Sequence, residues 1–178
     1  MSNPFKDARA AWITGFWKWD TSLWGCVGWT FPGARERVID LADGSTILCA
    51  VYTTKTSPEA SEKPHRGRIM GAYELSLHKD HRDAFSAPES ESYHPERWQH
   101  ALKAVRCWEF PERPTVEWVM PEIWDAPGLA RVAGIHGVAM SQEAIWRLGE
   151  FDCERVGFYG DSILCGDEDQ GVPASRMQ

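Results

Sequence analysis

No apolar run in this 178-residue sequence approaches the roughly 18 residues needed to cross a bilayer, so no membrane helix is expected. The opening MSNPFKDARAAW lacks the charged-then-apolar layout of a signal peptide, and a cytoplasmic location is the expectation. Cysteine is sparse and unpaired in pattern. Five residues (Cys26, Cys49, Cys107, Cys153, Cys165) include no C-x-x-C, which excludes a disulfide framework and leaves small apolar side chains in a reducing compartment. G-x-S-x-G, a Walker loop and H-E-x-x-H are all missing, so the common nucleophile, phosphate-cradling and zinc-hydrolase motifs drop out. His78, His81, His94 and His100 lack the tight pairing of a zinc site, and neither metal nor cofactor is expected.

What is abundant is tryptophan. At roughly one to two per hundred residues, two or three would be usual; this chain has ten. Five of them (Trp12, Trp17, Trp19, Trp24, Trp29) fall within eighteen residues. Charge is uneven as well. Residues 1–110 carry 14 Lys and Arg against 14 Asp and Glu, while residues 111–178 carry 5 against 12, so the whole net charge of −7 lies in the last third. That balance argues against non-specific coating of nucleic acid but leaves room for a local basic groove.

With 43% hydrophobic and 25% charged residues, the chain has the composition of one globular domain, placed at 1–166, before an acidic, flexible tail at 167–178. Aromatic and β-branched residues suggest a first strand at Trp12–Trp17. Strands follow at Ser45–Thr53, Gly67–Leu77 and Ala101–Phe110, the last with Leu102, Ala104 and Val105 as its inward candidates. Phe31-Pro32-Gly33 and Asp43-Gly44 read as turns, and Val116–Met120 and Val156–Tyr159 as short strands. Ser141 opens the best helix signal, Ser141–Phe151, with Ile145, Leu148 and Trp146 as its buried side. Residues 78–97 form a polar loop long enough to be functional or mobile. Several short strands with few helices predict an α+β mixed barrel rather than βαβ units.

Tryptophans beside Lys18 and Asp20 offer flat apolar walls next to polar groups, which suits a planar ligand read at its edge. For any one tryptophan, core packing is the competing account, and Trp108, Trp146 and Trp12 are assigned to it. A basic series (Lys63, His65, Arg66, Arg68, Lys79, His81, Arg82, Arg97, His100, Lys103, Arg106) interleaved with Tyr93 and Trp98 could follow a phosphate backbone. A solvated loop balanced by the intervening acids explains it equally well.

The order of these segments resembles a known group. Gly67-Arg-Ile-Met-Gly71-Ala-Tyr-Glu74-Leu75 is similar to a strand of the YTH and EVE domains, members of the PUA-like superfamily that also contains ASCH modules. Leu23-Trp24-Gly25-Cys26, the Glu-Phe-Pro ending of Ala101–Phe110 and the Ser141–Ile145 helix start match in order, over about residues 10–152. The resemblance implies a PUA-like mixed β-barrel of about six strands with flanking helices, and a pocket for a modified nucleobase. It implies that Trp17, Lys18, Trp19, Asp20 and Trp24 line an aromatic cage, with a second wall from Phe85, Tyr93 or Trp98. Arg66, Arg68 and Arg97 would hold the nucleic-acid backbone. The expected function is a binding module for DNA or RNA carrying a methylated or otherwise modified base, flipped out or single-stranded, as the reader of a modification-dependent defence system. A separate nuclease or helicase is the effector this admits. The alternative is a small ASCH-like amidohydrolase acting on a modified nucleobase or nucleoside, using Lys18, Thr21 and Glu74.

Overall fold

The computed structural model describes residues 3–18, 21, 25–82, 100–125 and 136–156. Seven strands are seen among them: β1 (Ala11–Phe16), β2 (Cys26–Trp29), β3 (Thr46–Thr53), β4 (Ile69–Ser76), β5 (His100–Glu109), β6 (Val138–Ala139) and β7 (Glu154–Val156). The helices are α1 (Pro32–Leu41), α2 (Val116–Val119), α3 (Pro121–Asp125) and α4 (Gln142–Gly149). The strands form one mixed sheet in the order β2-β5-β4-β3-β1-β6, with β7 also on β5. Every pair is antiparallel except β1 with β3.

The sheet curls into a half-barrel, and its sequence supplies the bends. Pairing of β4 with β3 skips from Gly71 to Ile69, and pairing of β4 with β5 skips from Arg106 to Ala104. Met70 and Val105 are therefore extra residues, one bulge on each strand, and a bulge bends and twists the strand that carries it. The fold is thus mixed α+β with a barrel-like sheet.

Both faces of the sheet are covered, which explains why β3 and β4 read as nearly continuous apolar runs. The inner face carries Trp12, Cys49, Val51, Tyr73, Leu75, Leu102, Val27 and Trp29 against Ala34 and Val38 of α1. The outer face carries Ile13, Ala50, Tyr52, Ala72 and Trp108 against Val116, Val119, Ile123, Ile145 and Leu148 of the helices. Asn3 locks the chain start to α4, donating through Nδ2 to the carbonyls of Leu148 (2.9 Å) and Phe151 (2.8 Å).

The three longer strands are present at Thr46–Thr53, Ile69–Ser76 and His100–Glu109, and the first at Ala11–Phe16. Leu102 and Ala104 are buried, whereas Val105, the extra residue of the β5 bulge, is only half-buried. Ser141 caps α4, its Oγ accepting from the Ala144 amide at 3.1 Å. Three expectations are corrected. Phe31-Pro32-Gly33 does not close a turn but opens α1, with the proline in the first helical turn where its missing N–H costs nothing. Val116–Val119 is helical, because Thr115 Oγ1 accepts from the Trp118 amide (3.2 Å) as an N-cap. Trp146 is 62% exposed, since Ala144, Ile145 and Leu148 already fill the inward side of α4. Trp108, Trp12 and Trp29 are buried. The last strand is Glu154–Val156, and the remainder of the expected Val156–Tyr159, with the whole tail, lies outside the described residues.

Gly137 has φ +78, and a Cβ there would collide with Trp12 Nε1 and lie 2.7 Å from the Ile13 carbonyl oxygen. Gly137→Ala is expected to lower unfolding free energy by about 2–4 kcal/mol in urea titration, from positive-φ strain plus overpacking. Burial also pushes the Cys49 thiol and the Tyr52 phenol above their ordinary values. The unfolded chain ionises these groups near about 8.5 and 10 while the folded chain keeps both protons. Their stabilisation is therefore complete below about pH 8.5 and is lost as pH rises, and Cys49→Ala should make the decline between about pH 8.5 and 10 shallower. Urea midpoints measured against pH check this.

Candidate functional site

Parallel pairing of β1 with β3 brings the C-terminal ends of both strands to one edge, where Phe16 lies beside Thr53. Beyond Phe16, Trp17 is 50% exposed and Lys18 is exposed. The loop after β3 is tied to this edge. The Thr54 amide donates to the Phe16 carbonyl (3.0 Å), and the Ser57 hydroxyl donates to the Trp17 carbonyl (2.5 Å). Arg66 Nη2 in turn donates to the Ser57 carbonyl (2.5 Å). The Thr53 amide donates to the Arg68 carbonyl (3.0 Å), so Arg66 and Arg68 belong to the same rim. Each guanidinium spends one N–H on the loop framework, Arg66 on Ser57 and Arg68 on the Arg113 carbonyl (2.9 Å).

Thr21 comes to this rim from the segment between β1 and β2. It is 2% exposed and lies directly over Gly71 of β4, where a Cβ would collide with its Oγ1 and lie 2.5 Å from the Trp108 carbonyl oxygen. Gly71 thus makes room for Thr21, and the Tyr73 hydroxyl donates to the Thr21 carbonyl at 3.2 Å. Gly71 pairs with Val51, and Thr53 is the next residue of β3 on the same inward face. The hydroxyl oxygens of Thr21 and Thr53 are both buried, and neither has a hydrogen-bond partner. A buried hydroxyl left unpaired costs about 1–3 kcal/mol. Both lie toward the end of the sheet that also carries Trp17, Arg66 and Arg68.

Trp17, Lys18, Thr21, Arg66 and Arg68 are therefore gathered at one end of the sheet. Trp19, Asp20, Trp24, Arg97 and Trp98 lie outside the described residues, as do Phe85 and Tyr93. Glu74 is not part of the group. Its side chain alternates with Gly71 and Tyr73 and emerges on the opposite face, where it pairs with Arg106 at 2.7 Å. There it lines a surface cavity of about 380 Å³ with Asp7, Arg9, Asp43 and Thr46. The sheet stands between Glu74 and Thr21.

The basic series divides likewise. Lys79, His81, Arg82 and His100 sit at the other end of the sheet, around the end of β4 and the start of β5. The His78 and His81 rings meet at a tilt, 5.2 Å between centroids, and His81 Nδ1 lies 2.7 Å from Ser76 Oγ. His94 is outside the described residues. Among the described residues no three metal-ligating side chains converge, and no helix is long and apolar enough to cross a membrane. Sequence reasoning missed Thr53, whose only signal was a hydroxyl closing an otherwise apolar strand.

Comparison of the chain with family models, with curated proteins and with solved structures gives no match.

Thr53→Val keeps the side-chain shape and removes an unpaired buried hydroxyl. Urea unfolding of the free protein should show a gain of about 1 kcal/mol. A loss of that size would mean that the hydroxyl already has a partner.

Proposed function

We propose that the chain is a nucleic-acid-binding module of the PUA-like, EVE/YTH type that holds a modified base at the rim formed by the ends of β1 and β3. The observation that carries this reading is the pair of buried, unpartnered hydroxyls of Thr21 and Thr53, next to a segment with tryptophans at 17, 19 and 24. A planar heterocycle presents what such a site needs: flat faces for stacking and a polar edge for hydrogen bonds. Extruding a base costs a few kcal/mol. Stacking contributes about 1–3 kcal/mol per base, and satisfying two orphaned hydroxyls adds a term that an unpaired protein forgoes.

In this reading Trp17, Trp19 and Trp24 stack, with Trp98 as the second wall. Asp20 and the threonine hydroxyls read the edge of the base. Arg66 and Arg68, through the N–H groups not spent on Ser57 and Arg113, hold phosphates together with Arg97. The curled mixed sheet is compatible with the barrel that a PUA-like domain requires. No bond is broken here, so cleavage would need a separate nuclease or helicase. The amidohydrolase reading is weaker, because Glu74 is on the far face of the sheet from Thr21 and is paired with Arg106.

Tryptophan fluorescence titration tests the reading, using short DNA and RNA oligonucleotides that are unmodified or carry methylated cytosine, hydroxymethylated cytosine or N6-methyladenine. One modified oligonucleotide should bind at least about tenfold more tightly than its unmodified counterpart, a difference of about 1.4 kcal/mol. Trp17→Ala and Thr21→Val should erase that preference without altering the circular dichroism spectrum. Equal, weak, salt-abolished binding to all oligonucleotides would sink the proposal. Release of acetate from N4-acetylcytidine, lost in Lys18→Ala, would establish the hydrolase instead.

A further inference from the structure

The helical layer on the outer face leaves two large aromatic side chains uncovered. Trp118 on α2 is 57% exposed and Trp146 on α4 is 62% exposed. Neither is needed for packing. Val116 and Val119 form the inward side of α2, and Ala144, Ile145 and Leu148 that of α4. The two helices are neighbours, and Arg147 links them. Its guanidinium sits 5.6 Å from the centre of a Trp118 ring, and Nη1 donates to the Trp118 carbonyl at 3.4 Å. Nη2 pairs with Glu143 at 2.6 Å. Arg147 thus fixes the position of Trp118 and has its own charge balanced.

The exposed charges on these helices are mostly acidic, while the cations nearest the layer come from other elements: Lys55 lies over Trp124 of α3, and Lys6 lies against Gly149 of α4. Glu117 adjoins Trp118, Glu122 follows on α3, and Glu143 and Glu150 are exposed three residues before and four after Trp146, on its side of α4. Arg147 is the one basic residue on α2, α3 and α4, and it is spent on Glu143. This chemistry narrows the occupant. Nucleic acid and anionic lipid would be repelled by the carboxylates. A second copy of the same face would bring like charges together. A cationic side chain fits both features, stacking on an indole by a cation–π contact while its charge meets a carboxylate. Exposed tryptophans with a charged rim are also the usual composition of protein–protein hot spots.

We infer that the α2–α4 face carrying Trp118 and Trp146 is a docking surface for an arginine- or lysine-rich segment of a partner protein. The surface is independent of the rim on the inner face, so the failure of either reading leaves the other standing.

The probe is a synthetic peptide alternating arginine and leucine, with a glutamate-for-arginine counterpart, titrated against the whole chain by calorimetry and by NMR of the indole N–H signals. The arginine peptide should bind and shift the Trp118 and Trp146 signals, and the glutamate peptide should not. The double variant Trp118→Ala, Trp146→Ala retains every carboxylate, and both substitutions are at exposed positions. Its affinity should fall at least about tenfold. Three results would overturn the inference: no binding of the arginine peptide, undiminished binding by the double variant, or concentration-dependent dimerisation in sedimentation that the double variant abolishes.

Discussion

The single parallel pairing in the sheet, β1 with β3, constrains everything around it. Two parallel neighbours cannot be joined by a hairpin and need a crossover of a dozen or more residues. Here the crossover contains β2 and α1, and β2 docks at the far edge of the sheet, on β5. Leaving β1, the chain must pass β3, β4 and β5 to reach β2, four strand spacings of about 4.8 Å, or about 19 Å. It has about ten residues in which to do so, with a maximum reach of about 33 Å. Thr21 over Gly71 of β4 is a point on that traverse. Trp17, Lys18 and Thr21 are therefore brought to one end of the sheet by topology, and the same parallel register puts the end of β3, with Thr53, at that end too.

Much of the frame could be read without coordinates because β3, β4 and β5 are covered on both faces. Runs such as Thr46–Thr53 are then apolar throughout, the signal a single sequence carries best. What escaped was local chemistry overriding propensity. Val116–Val119 is β-branched and aromatic, yet a threonine cap and a following proline turn it into helix. Phe31-Pro32-Gly33 has turn composition, but proline is equally at home in a first helical turn, and only the apolar spacing of Ala34 and Val38 separates the two cases. The bulges at Met70 and Val105 have no composition of their own. Glu74 faces away from Gly71 by strand alternation alone, but nothing in the sequence says that Thr21 seats on Gly71, so the separation of Glu74 from Thr21 is not legible there.

The charge asymmetry of the chain acquires a spatial meaning. The acidic last third includes the helices that cover the outer face, while Arg66, Arg68 and Lys18 gather at the end of the sheet near Thr53. Residues far apart in sequence divide into one rim with cations and one helical layer with carboxylates. The described tryptophans divide along similar lines: Trp12, Trp29 and Trp108 fill the two cores, Trp124 packs against the outer one, Trp17 stands at the rim, and Trp118 and Trp146 stand on the helical layer.

A rim that served stability alone would be built differently. Valine has the shape of threonine and carries no hydroxyl to desolvate, so valine at 21 and 53 would be the better choice for packing. Gly71 compounds the point. Glycine inside a strand gives up β-propensity and backbone entropy, and here that loss is incurred to seat a residue whose hydroxyl then goes unpaired. Three local rules are broken close together on the inner face, where Val51, Tyr73 and Leu75 follow them. Violations that cluster in an otherwise consistent fold are characteristic of functional sites. The cost is offset only when something presents hydrogen-bonding atoms to both hydroxyls. A ligand that does so gains an interaction that water-exposed groups could not provide, since the site is already desolvated before the ligand arrives.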